Sequence, residues 1–121
     1  MSATQRAVEL TVLAAGAAYE KMAQTVIALD VSQRLALTDV FVVASGTSER
    51  QVRAIVDGVE EAMHAEGVKA LRKEGVSEAR WVLLDYGDIV VHVQHEEDRE
   101  FYALERLWKD CPVVDLPAQV S

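Results

Sequence analysis

The sequence predicts an α+β domain in which helices pack on one β-sheet, and three observations carry that expectation. The chain has 121 residues, half of them hydrophobic, which is the size and apolar content of one domain with one core. Two stretches, 4–22 and 48–66, repeat apolar residues at helical spacing, and each leaves a stripe that only a second layer can cover. Three runs rich in β-branched residues, 25–31, 39–44 and 81–93, supply that layer.

The first helix is expected to bury Val8, Val12, Ala15, Tyr19 and Met22, which recur at steps of four and three. Its apolar stretch, residues 10–19, is shorter than the roughly 18–20 residues of a membrane span. Glu9 beside it also argues against a secretory leader. Thr25–Val31 and Asp39–Ala44 read as a hairpin of core strands around the polar Ser32-Gln33-Arg34. Ser45-Gly46-Thr47-Ser48 then breaks the strand, and Ser48 with Gln51 three residues later signals a capped helix that stops at Gly67. Its stripe is Val52, Ile55, Val56, Val59 and Met63. Val68–Leu71 reads as a short edge strand, and a polar turn follows.

Residues 81–93, WVLLDYGDIVVHV, place two strand patterns around Asp85-Tyr86-Gly87-Asp88, a turn with glycine for the unusual backbone angle. A four-residue turn sets Leu84 opposite Ile89 and Trp81 opposite His92. Val82, Leu84, Ile89 and Val91 then share an aliphatic face, and Trp81, Leu83, Asp85, Asp88, Val90 and His92 share the other. A last helix from Glu96 carries Phe101, Leu104, Leu107 and Trp108 and ends at Pro112. The domain is therefore expected over residues 1–111, with a tail at 112–121.

Charge bears on partners. Lys and Arg number 12 against 20 Asp and Glu, a net −8 that repels a phosphate backbone and favours a basic protein as partner. No nucleic-acid specificity and no membrane association are expected. Nine of the acids lie from Val82 onward, and Trp81, Tyr86, Phe101, Tyr102 and Trp108 fall in the overlapping stretch between residues 81 and 108. Trp81, at a strand end, and Tyr86, at a turn, are expected to be exposed, and aromatics ringed by acids suit a docking surface. A protein-binding module is the first reading, and such a face also favours a homodimer in the free protein.

The second reading is a small nucleotide-binding or nucleotidyltransferase-like enzyme, in which Gly46-Thr47-Ser48 at a helix start cradles phosphate. The segment lacks a Walker lysine and a G-x-G-x-x-G pattern, so plain helix capping explains it more simply. His92 and His95 point to opposite sides of a strand, which disfavours a shared metal, and no cofactor is expected. The single cysteine, Cys111, forms no intrachain disulfide, which fits a cytoplasmic setting.

Several blocks taken together carry a resemblance. Leu29-Asp30-Val31, Leu37-Thr38-Asp39 running into Phe41, Ala44–Val52, Trp81–Asp88 with Val91-His92-Val93, and Glu100-Phe101-Tyr102 with Leu104–Trp108 resemble the ribosomal silencing factor family, also called the Iojap family. The resemblance spans residues 7–111 and implies a mixed five-stranded sheet flanked by helices, nucleotidyltransferase-like but without that fold's catalytic carboxylates. It also implies a factor that is not an enzyme. Such a factor binds the large ribosomal subunit through its fourteenth protein at the intersubunit face, and represses translation under nutrient limitation by blocking subunit joining. The implied contact surface is Trp81, Asp85, Tyr86, Gly87 and Asp88, with His92, Tyr102 and Glu105 contributing.

Overall fold

A computed structural model of the chain describes residues 2–98, 106 and 108–117. In chain order the elements are α1 (Gln5–Glu20), β1 (Thr25–Asp30), β2 (Val40–Gly46), α2 (Glu49–Ala65), β3 (Arg72–Glu74), β4 (Trp81–Asp85) and β5 (Ile89–His95). The strands form one mixed sheet in the order β1-β2-β5-β4-β3, in which β2 and β5 run parallel and every other pair is antiparallel. The expected α+β fold and the β1–β2 hairpin are both present.

Strand alternation decides where the core lies. Ala28 of β1, Val40, Val42 and Ala44 of β2, Val82 and Leu84 of β4, and Ile89, Val91 and Val93 of β5 are all buried against α1 and α2. The α2 stripe is the expected one, with Val52, Ile55, Val56, Val59 and Met63 buried. The α1 face is not. Its buried residues are Ala7, Leu10, Thr11, Ala14, Ala15, Ala17 and Ala18, while Met22 is 77 % exposed. Alanines let α1 approach α2 and the sheet closely, so the face is chosen by size rather than by hydropathy.

The end of α1 is fastened to the start of α2. Ser48 caps α2, its Oγ accepting from Gln51 N at 3.1 Å, and Gln51 Oε1 accepts from Thr47 N at 2.7 Å. The Gln51 amide also donates to the Met22 carbonyl at 2.7 Å. On the other sheet face, Leu29, Val31 and Cys111 form a small cluster with Leu35, Phe41 and Trp108. Phe41 meets Trp108 edge-on at 5.1 Å, and the Arg34 guanidinium stacks on the Trp108 ring at 5.0 Å.

Two expectations need correction. The edge strand is Arg72–Glu74 rather than Val68–Leu71, because Val68 and Ala70 turn inward to pack against the core. The β4–β5 hairpin has Leu84 opposite Val91 and Trp81 opposite Gln94, two residues out of the expected register. Such a slip by two keeps each side chain on its own face, so the aliphatic face is as expected. The expected last helix begins with residues 96–98, and Phe101, Leu104 and Leu107 lie outside the described residues.

The first residues of the expected tail are docked. Asp30 N donates to the Pro112 carbonyl at 2.8 Å and Val114 N to the Ala28 carbonyl at 2.9 Å, so residues 112–114 run antiparallel along β1. Val114 and Leu116 pack, partly buried, against the main core.

Candidate docking surface at the hairpin turn

The register follows from how tightly the chain turns. Tyr86 N donates to the Ile89 carbonyl at 2.9 Å, which leaves only Gly87 and Asp88 at the tip. Gly87 has φ of +85°, which a two-residue turn needs at its first central position. Asp85 Oδ1 accepts from Gly87 N at 2.9 Å and fixes the bend from below. Asp85 and Tyr86 thereby join the hairpin arms, and Tyr86 falls on the face of Val82 and Leu84.

Tyr86 is therefore buried, 7 % exposed and packed in the main core, where an exposed ring was expected. Its hydroxyl is buried without a hydrogen-bond partner among the described residues. Burial first, and then the charge of Glu60, push its pKa up to about 12. The ring also helps line a cleft of about 430 Å³ with Glu60, His64, Lys69 and Lys73, where Lys73 Nζ pairs with Glu60 at 3.0 Å.

Trp81 and His92 form a second group. Trp81, half-buried, donates from Nε1 to Nδ1 of His92 at 3.1 Å, diagonally across the register. His92 is 5 % exposed and meets Phe41 edge-on at 4.9 Å. With Nδ1 accepting, the neutral ring carries its proton on Nε2, which is buried without a partner among the described residues. Burial pushes the His92 pKa down to about 4. Four residues of strand rise, roughly 13 Å, separate Trp81 from Asp85, so this pair does not sit at the tip. Tyr102 and Glu105 lie outside the described residues.

Neighbouring segments converge on the tip. The Asp88 carbonyl accepts from Asp39 N at 2.9 Å and Val40 N at 3.3 Å, and Leu71 N donates to the Asp85 carbonyl at 2.7 Å. The Asp88 side chain is exposed, whereas Asp85 is half-buried with Arg72 Nη2 at 3.8 Å from Oδ2. Two exposed leucines that sequence reasoning missed stand here, Leu37 at 89 % and Leu71 at 75 % exposure. An apolar residue in a polar loop was the available signal.

The hydroxyls of the Ser45–Ser48 segment are engaged within the chain. Ser48 and Thr47 bond to Gln51, and Ser45 Oγ donates to Glu96 Oε2. The helix start is capped by its own residues, as the simpler sequence reading expects. Among the described residues, no group of three or more His, Cys, Asp or Glu could hold a metal ion, and no helix is long and apolar enough to cross a membrane.

Comparison with known proteins agrees with the architecture. Residues 4–121 match the family described as ribosomal silencing factor during starvation. The chain is 42 % identical over 113 residues to the ribosomal silencing factor RsfS of Halalkalibacterium halodurans, covering 93 % of this chain and 97 % of that protein. It is 41 % identical over 104 residues to that of Bacillus subtilis, covering 86 % and 88 %. A crystal structure of a Chromobacterium violaceum protein superposes with a TM-score of 0.81 at 34 % identity, covering 93 % of this chain and 91 % of that one. Matched over nearly its whole length in sequence and in fold, the chain belongs to the ribosomal silencing factor family.

Proposed function

We propose that the chain represses translation when nutrients are scarce by binding the large ribosomal subunit through its fourteenth protein and blocking subunit joining. The observation that carries this reading is the family match over residues 4–121. The mechanism is steric rather than catalytic: a 13.3 kDa domain seated on the intersubunit face occupies space the small subunit needs. The charge of −8 supports a protein contact over an RNA contact, because it is attracted to basic protein surface and repelled by phosphate.

In this reading the turn is the contact. Gly87 and Asp88 meet the partner, while Asp85 and the buried Tyr86 hold the turn in shape. Trp81 and His92 support the sheet face beyond it, and Tyr102 and Glu105 complete the proposed set.

Sedimentation with purified large and small subunits at physiological salt tests it. The protein is expected to travel with the large subunit alone and to lower the yield of joined ribosomes. Asp88→Lys, an exposed change that leaves the hairpin bonds in place, is expected to weaken that binding about tenfold or more. Wild-type protein that travels with neither subunit would sink the reading, and an Asp88→Lys variant that binds normally would move the contact away from the turn.

A further inference from the structure

The sheet end that carries the turn has a second chemical character beside its acidity. Because β2 and β5 are parallel and β3 is antiparallel to β4, the chain enters β2 and β3 at the same end of the sheet as the β4–β5 turn. Leu37 lies just before β2 and Leu71 just before β3, so in sheet order the two leucines flank Gly87 and Asp88.

Neither leucine side chain packs into a core cluster of the described residues. Leu35, two residues before Leu37, packs into the small cluster with Phe41 and Trp108, whereas Leu37 is 89 % exposed. Val68 and Ala70 pack against the core, whereas Leu71 is 75 % exposed although its amide is held by Asp85. A Cβ added at Gly87 would lie 3.4 Å from Leu71 Cδ1, so the leucine rests against the bare glycine of the turn. The fold thus holds the Leu71 backbone to the turn, places Leu37 two residues before the Asp39 amide that bonds the same turn, and leaves both side chains largely in water.

We infer that Leu37 and Leu71 are apolar anchors on either side of the Asp88 carboxylate. The occupant they fit is a protein surface that sets a lysine or arginine between two apolar depressions. RNA does not fit, since phosphates are repelled by the carboxylate and offer the leucines no apolar contact. The inference rests on the reading that the turn meets the large subunit and names what determines specificity there. Affinity comes from burying the leucines, and the acid sets approach and orientation.

Binding to purified large subunits, titrated at low and high salt, tests this with Leu37→Gln, Leu71→Gln and the double variant. Both positions are exposed, so native circular dichroism and an unchanged melting temperature are expected. Each single variant is expected to bind about tenfold more weakly and the double variant more weakly still, with losses alike at both salt concentrations. The loss in Asp88→Lys is expected to depend on salt. Met22→Asn serves as the control. Met22 is 77 % exposed, sits at the opposite sheet end beside Gln51, and has φ of 62°, which asparagine tolerates.

A double variant that binds as the wild type does, while Asp88→Lys does not, overturns the anchor role and leaves the proposed function standing. Wild-type protein that fails to bind large subunits overturns both. Equal affinity for deproteinised large-subunit RNA and for intact subunits overturns the assignment of a protein partner.

Discussion

Removing one oxygen from Tyr86 separates its packing from its polarity. The ring fills the core beneath the turn, and the buried hydroxyl has no partner among the described residues. Burying such a group unpaired costs roughly 1–3 kcal/mol, so Tyr86→Phe is expected to stabilise the protein by about 1 kcal/mol. A higher urea midpoint at constant slope checks this, and a lower one would mean that the hydroxyl is hydrogen-bonded. His92 gives the residue scale a pH dependence. Its ring resists protonation down to about pH 4 in the folded chain, whereas in the unfolded chain it gains a proton near 6.5. Stability is therefore complete above about pH 6.5, declines as pH falls towards 4 and then levels, a loss on the order of 3 kcal/mol from this group. His92→Phe is expected to flatten that limb, and an unaltered limb would assign it to another group. The sequence placed His92 in contact with Trp81, and the contact exists, but through a diagonal hydrogen bond rather than a directly opposed pair.

At the scale of elements, periodicity revealed faces better than it revealed register. The aliphatic face of the β4–β5 hairpin was legible because alternation survives a slip by two residues. The register was not, since Asp-Tyr-Gly-Asp is compatible with a two-residue or a four-residue turn and only the Tyr86–Ile89 bond decides between them. That choice also sends Tyr86 inward, which explains why an aromatic beside a turn was misread as exposed. The buried face of α1 was hidden for a different reason, because alanines contrast too weakly with their neighbours to mark a stripe. Two backbone details carry measurable weight. Gly75 has φ of +77°, and a Cβ there would stand 2.1 Å from the Trp81 carbonyl oxygen, so Gly75→Ala is expected to cost more than about 2 kcal/mol. A melting temperature within a degree or two of the wild type would contradict it. Ser48→Ala, which removes the α2 cap, is expected to cost about 1 kcal/mol by the same measurement.

For the whole molecule, the strand order β1-β2-β5-β4-β3 joins two antiparallel units through the parallel β2–β5 pair. No single strand announces that pairing, because apolar residues dominate the start of both β2 and β5 and do not say which strand lies beside which. The mixed sheet came from the resemblance, which weighs ordered blocks along the whole chain. Net charge, by contrast, is fully legible, and −8 predicts that association with a basic surface slows as salt rises, which stopped-flow mixing with large subunits would measure. The strand laid along β1 has a consequence for colloidal behaviour. A sheet aggregates through its open margins, and in this molecule residues 112–114 cover the Ala28–Asp30 end of one while the other is the short, fully charged Arg72-Lys73-Glu74. A chain stopped after Cys111 would bare the Asp30 amide and the Ala28 carbonyl beside a run of apolar strand, and thioflavin-positive fibrils are expected from it where the intact protein stays clear.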